Sequence, residues 1–334
     1  MTLSGGGAAL AALVAAVPGA TAVTLVTVSG EGSEVRCHGR EFAGGPETTA
    51  DTGYELGSVT KTFTALLLAE LADRGAVTLD DPLSAHLPGT ADCTLHQLAT
   101  HTAGLPRLPP GLLRSALPQW YRNPYAAFDD DRLLAAPVRP RSPGRVRYSN
   151  FGVALLGRAL AERTGTPYPE LLAELVCAPL GLTATDCAEQ APGRALGHRR
   201  GRPLPPWRIP GLPAAGALRS TGRDLLRYLT AHLDPATPAL RTVRLPLAWS
   251  LRRTTYFHSG GTRGCTAFVG FDPERGTALA ALANTGPFLG SRFVQTAYDT
   301  LLPSLRGGGW CRAGAKTRYL DIKTLVDMER STGD

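Results

Sequence analysis

Ser58 and Lys61 stand three residues apart at the head of an apolar run, and together they could perform nucleophilic chemistry. Residues at i and i+3 share one face of a helix. A serine hydroxyl becomes a useful nucleophile when a neighbour takes its proton, and a lysine withdrawn from water can be neutral enough to do so. The segment Gly57-Ser58-Val59-Thr60-Lys61 predicts the opening of a helix that ends near Gly75, with Ser58 at or close to its first turn. Backbone N–H groups and the helix dipole there favour negative charge developing beside the serine. The chain contains 32 arginines and three lysines, and Lys316 and Lys323 lie near the C-terminus. Across the first 315 residues, Lys61 is therefore the one basic position not filled by arginine. Arginine stays protonated in proteins, whereas a desolvated lysine can accept a proton. Taken alone, the pair is equally explained by a helix-capping serine and an exposed lysine. Phe63, Ala65, Leu66, Leu67, Leu68 and Leu71 predict a helix buried almost all round, which favours the catalytic reading because a buried lysine is costly without a role.

Two further segments add to this pair. Tyr148-Ser149-Asn150 follows Pro143-Gly144-Arg145-Val146-Arg147, and His258-Ser259-Gly260-Gly261 lies a hundred residues later. With Ser58 to Lys61 they resemble, in order and separation, the three motifs of the serine β-lactamase-like superfamily, which includes class C β-lactamases, related esterases, D-aminopeptidases and transacylases. Leu98 to Leu105, Pro179 to Leu182 and Ala215 to Thr221 also resemble that superfamily, so the likeness extends over roughly residues 8 to 302. The resemblance implies that Tyr148 shares proton transfer with Lys61, and that Asn150 holds Lys61 and a substrate carbonyl. It further implies that Ser259, Gly260 and Gly261 line a substrate-binding strand edge, and that the N–H groups of Ser58 and Gly261 form an oxyanion hole. His258 departs from the lysine of true class C β-lactamases. A histidine is mostly neutral at pH 7 and offers one hydrogen bond in place of a permanent charge, which weakens the case for β-lactams and fits the esterase, peptidase and transacylase relatives.

The expected reaction is acyl transfer through Ser58 from an ester or amide, small-molecule or peptide, to water or to an amine or alcohol, with a biosynthetic pathway as one expected setting. The alternatives are a β-lactamase or D,D-peptidase, and a catalytically silent module that binds an acyl ligand. No cofactor and no metal are expected. Leu105 to Asp131 and Gly193 to Pro213 are expected to build the walls of the site, their Pro-rich and aromatic composition suiting an acyl or aryl group. His101 and Thr102 are assigned no chemistry. Cys265 reads as a small core residue, and Asp129 to Asp131 as a charge cluster at a helix N-terminus.

These residues need elements to position them. Thr21 to Val28 and Glu34 to Phe42 read as paired strands, as do Thr254 to His258, Cys265 to Phe271 and Thr277 to Ala283. Helices are predicted over Ser58 to Arg74, Leu95 to Thr100, Phe151 to Thr164, Pro169 to Val176, Thr221 to His232 and Gly290 to Leu302. Strands at both ends with helices between them predict an α/β chain of the β-lactamase/transpeptidase type: a central antiparallel sheet flanked by helices, plus an all-helical lobe. The expected division is an α/β lobe from 1–50 and 205–305, a mainly helical lobe from 51–204, and a tail from 306–334. The formal charge of +7 is scattered without a nucleic-acid-binding motif, so no nucleic-acid partner is expected. Ala8 to Val17 is apolar but too short to span a bilayer and lacks a basic flank, which predicts a soluble, cytoplasmic protein with no membrane partner. Six cysteines, with no C-x-x-C pair, read as buried thiols. Oligomeric state is not legible.

Overall fold

The protein is described here from a computed structural model covering residues 6–117 and 123–302; the tail from 306 and Cys311 lie outside the described residues. Six antiparallel strands form one sheet in the order Gly32–Gly39, Ala22–Ser29, Thr277–Ala283, Thr266–Asp272, Thr255–Gly261 and Ser250–Arg252. The first and last long strands of the chain are thus neighbours, with Val23 opposite Ala283 and Val28 opposite Ala278. Strand Thr277–Ala283 carries four alanines, poor strand formers taken alone. It lies at the centre of the sheet, where small side chains let helices approach both faces. Helices Gly6–Ala15 and Phe293–Leu301 cover one face, burying Leu13, Phe293, Ala297 and Leu301 against Val23, Leu25 and Phe268. Helix Gly222–Leu233 packs on the other, with Leu225, Tyr228 and Leu229 fully buried.

One buried side chain holds the chain's distant segments together just beyond the central strand. Asn284 accepts the N–H groups of Thr21 and Ala22, and its amide nitrogen donates to Thr21 Oγ1 and to the carbonyls of Glu41 and Leu196. Leaving such groups unpaired in the interior would cost about 1–3 kcal/mol each.

The α/β architecture agrees with the sequence expectation, and the differences are local. The strand expected to stop at His258 continues to Gly261. The last helix begins at Phe293 in place of Gly290. Pairing of Gly53–Glu55 with Arg219–Thr221 was not anticipated, because three-residue strands carry no periodicity to read.

The central helix, Thr60–Asp73, is buried from Thr60 through Ala69, as its composition predicts. Its polar residues are satisfied by neighbouring elements. Thr64 Oγ1 donates to the Ala214 carbonyl at 2.8 Å, Thr60 Oγ1 accepts the Leu218 N–H, and the Tyr228 hydroxyl donates to Thr62 Oγ1. Phe63 stacks on Tyr228 with ring centroids 4.0 Å apart. Ser58 itself lies just before this helix, in the 3-10 turn Gly57–Val59. Helix Asn150–Thr164 starts at a Ser149 cap whose hydroxyl accepts the Gly152 N–H. Asp129 caps helix Asp130–Ala135 in the same manner, consistent with a charge cluster at a helix start.

His232 is fully buried on helix Gly222–Leu233, stacked on Phe271 and edge-on to Tyr228 and Trp249. Burial, with a smaller contribution from Arg244, pushes its pKa down to about 3. The unfolded chain therefore binds a proton that the folded chain refuses, so stability is full above the ordinary histidine pKa and falls as pH drops from there towards about 3. The slope from this residue approaches about 1.4 kcal/mol per pH unit. Urea unfolding of wild type and His232→Leu at pH 7, 6 and 5 should show a shallower decline in the variant; parallel curves would remove His232 from the acid response.

Candidate active site

The 3-10 turn and the first turn of the central helix bring Ser58 and Lys61 together. Lys61 is 1% exposed, and its Nζ donates to Ser58 Oγ at 2.9 Å and to the Ala215 carbonyl at 2.7 Å. The Tyr148 hydroxyl donates to the same Ser58 Oγ at 2.7 Å. Lys61 Nζ also lies 4.9 Å from the centre of the Tyr148 ring. One oxygen is thus held between two groups, each able to exchange a proton with it. A serine so placed can be deprotonated when either neighbour is in its basic form, and the proton can return to a leaving group by the same route.

Backbone contact positions Ser58 against the strand Thr255–Gly261. Gly57 has φ +51°, the left-handed region that favours glycine, and a Cβ there would meet Gly261 O at 2.6 Å and Gly261 N at 2.8 Å. A Cβ on Gly260 would collide with the Leu56 carbonyl and come within 3.0 Å of Ser58 N. Turn and strand therefore touch main chain to main chain, which sets the amides of Ser58 and Gly261 side by side. Ser250–Arg252 pairs with the strand only over Thr255 to Phe257, so among the described residues no strand covers the outer edge from His258 to Gly261.

The remaining sequence candidates arrive with altered partners. Asn150 lines the pocket beside Ser58, but its Nδ2 donates to the Tyr125 hydroxyl at 3.3 Å. Its Oδ1, the only atom that could accept from Lys61, is buried without a hydrogen-bond partner among the described residues, so the expected bond to Lys61 is not made. The Ala215 carbonyl takes that place. His258 is 5% exposed, with Nδ1 2.7 Å from the carbonyl of Ser259. Ser259, Gly260 and Gly261 do line the pocket.

His101, which sequence reasoning set aside, packs on Tyr148 with ring centroids 4.6 Å apart and has φ +60°. Its Nδ1 accepts the Ser149 N–H, so the ring proton resides on Nε2. Burial first, and then the charges of Lys61, His258 and Arg107, hold its pKa well below the ordinary histidine value, which keeps it neutral. It positions the Tyr148–Ser149 segment.

Arg107, Tyr125, Trp207 and Ile209 complete the pocket wall. They come from the two segments expected to build it, although nothing in the sequence singled them out. Trp207 meets Tyr125 edge-on at 5.5 Å between centroids. The partly exposed carboxylate of Glu55 accepts the Trp207 N–H and the Thr262 hydroxyl, and Arg219 donates to the Trp207 carbonyl. One network thus fixes the aromatic wall and the residue after Gly261 together. A larger cavity of about 620 Å³ lies on the far side of Trp207 and Ile209, lined in part by Tyr168, Pro169 and Arg158 and remote from Ser58. The described cysteine thiols sit away from this chemistry; burial raises the pKa of Cys265 well above its ordinary value, as expected of a core thiol.

Comparison with known proteins agrees with this geometry. The Beta-lactamase family matches residues 8–302. The chain is 30% identical over 228 residues to the D-alanyl-D-alanine-carboxypeptidase/endopeptidase AmpH of Escherichia coli, a match covering 65% of this chain and 58% of that protein. It is 28% identical over 236 residues to a Beta-lactamase of Yersinia enterocolitica, covering 66% of this chain and 56% of that one. The chain therefore spans little more than half the length of these curated relatives. A class C beta lactamase from Rhodobacter sphaeroides superposes with a TM-score of 0.75 at 24% identity, over 89% of this chain and 98% of that structure. A family match across nearly the whole described fold, with Ser58, Lys61 and Tyr148 meeting at one oxygen, leads to one assignment: the chain belongs to the Beta-lactamase family.

Proposed function

We propose that the protein is a serine acyl-enzyme hydrolase or transacylase acting on an ester or amide carbonyl. The observation that carries this reading is Ser58 Oγ, held 2.9 Å from Lys61 Nζ and 2.7 Å from the Tyr148 hydroxyl. In the reactive form one proton is missing from the Lys61–Tyr148 pair. Ser58 gives its proton to that pair as Oγ bonds to the carbonyl carbon, and the tetrahedral oxyanion develops beside the N–H groups of Ser58 and Gly261. Collapse breaks the bond to the leaving group, which departs with a proton from Tyr148. Water, an amine or an alcohol then attacks the acyl-enzyme with the same pair acting as base, and Ser58 is restored. No step calls for a cofactor. A place in a biosynthetic acyl transfer, in the cytoplasm, fits this chemistry; among the described residues no helix is long and apolar enough to cross a membrane.

A second reading, β-lactamase or D,D-peptidase, is favoured by the similarity to AmpH and to named β-lactamases. His258 speaks for the esterase-type reading, because a buried ring bonded to its own strand does not supply a permanent ammonium. Turnover of nitrocefin or of a D-alanyl-D-alanine peptide at rates exceeding those for simple esters would reverse the order of the two readings.

A fluorophosphonate should label wild-type protein at Ser58, found by peptide mass spectrometry. Ser58→Ala should lose labelling and on the order of 10⁴-fold or more in kcat/KM. Lys61→Arg keeps a cation but removes the proton acceptor, and should lower acylation roughly 10²- to 10⁴-fold. Labelling at another residue, or retained activity in Ser58→Ala, rejects the mechanism. Mass spectrometry of the acyl-enzyme with and without amine and alcohol acceptors separates the two outcomes: faster decay with formation of the acylated acceptor identifies transfer, and decay indifferent to every acceptor identifies hydrolysis.

A further inference from the structure

We propose that Arg107 is the specificity-determining residue of this pocket and that it selects an ester or amide substrate carrying a carboxylate or comparable anionic group. The inference rests on acyl transfer at Ser58 and names the substrate class for it.

The position of Arg107 is fixed by the same segment that fixes Tyr148. Its carbonyl accepts the N–H groups of Asn150 at 2.8 Å and Phe151 at 3.2 Å, and the preceding Pro106 carbonyl accepts the Ser149 hydroxyl at 2.6 Å. The start of helix Asn150–Thr164 is thereby tied to the backbone that carries Arg107. From there the side chain reaches over the Tyr148 ring, with Cζ 5.0 Å from its centroid, and lines the pocket together with Ser58, Asn150, Tyr125 and Trp207. Among the described residues lining this pocket Arg107 is the one that carries a formal charge, and none is acidic.

The surroundings extend that positive field. Burial raises the pKa of the Tyr125 phenol, and Arg107 and Arg263 both act against the rise, which places two guanidinium groups within electrostatic reach of the hydroxyl that Asn150 contacts. Arg263 in turn has its pKa pushed down to about 10 by burial and by the charge of Arg199, while Tyr125 acts against that fall. Tyr125 and Trp207 restrict water here, which strengthens any charge pair that forms. An arginine matches a carboxylate through two parallel N–H bonds, a geometry lysine lacks. A histidine can be neutral whereas an arginine stays protonated in proteins, so an anionic substrate group finds its permanent partner at residue 107.

Matched substrate pairs test this and locate the anion. On the acyl side, 4-nitrophenyl hemiglutarate is compared with 4-nitrophenyl valerate; on the leaving-group side, 4-acetoxybenzoate is compared with its methyl ester. The wild type should favour the anionic member of one pair by about 10- to 100-fold in kcat/KM, the scale of a charge-assisted hydrogen-bonded pair. Arg107→Ala should bring that ratio close to one, whatever happens to the absolute rates, and Arg107→Lys should retain part of it. Should the variants fold poorly, the wild-type preference alone remains diagnostic, because it must shrink as salt is raised. Fluorophosphonate labelling of Ser58 without discrimination in either pair, or a preference untouched by Arg107→Ala, overturns this inference while leaving acyl transfer intact. Absence of both labelling and turnover rejects the acyl-transfer reading, and this inference with it.

Discussion

The site depends on an amine that has been taken out of water. Lys61 is 1% exposed in the first turn of an apolar helix, and a charged ammonium there, without partners, would cost several kcal/mol. The fold meets that cost by aiming one backbone carbonyl, Ala215, and one hydroxyl, Ser58, at Nζ. The carbonyl is supplied from far along the chain: the Ala215 turn is itself held to the central helix by Thr64 at Ala214 and by Thr60 at Leu218. The same threonines that keep a buried helix free of unpaired polar groups therefore keep the lysine's carbonyl partner in place. The Ala215 carbonyl and the Ser58 hydroxyl are thus both within hydrogen-bonding distance of Nζ, as the proposed proton transfer from Ser58 needs.

A second constraint is the absence of side chains where turn and strand meet. Gly57 and Gly260 let two backbones come into contact, and the amides of Ser58 and Gly261 become neighbours for that reason. Close backbone approach alone leaves the strand end free to shift. The Glu55 carboxylate restrains it by holding Thr262 just past Gly261, while Arg219 and Glu55 grip Trp207 from its two backbone groups. Burial lowers the pKa of Arg219, with Glu55 opposing that shift, so the pair sustains itself in a region where either charge alone would be unfavourable. The end of the strand at Gly261 and the aromatic wall are thus coupled through the Glu55 carboxylate, with Arg219 beside it.

Much of this was legible in the sequence. The apolar run after Lys61 announced a buried helix, the scarcity of lysine marked one position, and the β-branched and aromatic segments at the two ends gave the long strands of the sheet. Three kinds of feature were hidden. Contacts made by backbone atoms, such as the Ala215 carbonyl on Lys61, leave no trace in residue type. Short pairings, such as Gly53–Glu55 with Arg219–Thr221, are below the length at which periodicity is readable. Pocket residues from irregular segments, Arg107, Tyr125 and Trp207 among them, look like ordinary loop residues until the chain brings them beside Ser58. The Asn150 partner differed from the one the resemblance implied, its Nδ2 donating to the Tyr125 hydroxyl from a segment the sequence did not single out.

The two cations around Tyr148 have different natures, and the difference matters to the order of proton movements. Lys61 Nζ lies 4.9 Å and Arg107 Cζ 5.0 Å from the centre of one aromatic ring. In the proposed mechanism, negative charge developing on the Tyr148 oxygen would be favoured by both. A Lys61 that had given up its proton would no longer contribute to that field. Arginine stays protonated in proteins, so a guanidinium beside Tyr148 supplies a positive field whichever form Lys61 takes. Neutral His101 on the same ring adds no third charge that would raise the cost of the ammonium. In the proposed mechanism a cation able to release its proton sits beside the nucleophile and a guanidinium sits beside its partner, an arrangement matched by the use of arginine at every basic position but residue 61 across the first 315 residues.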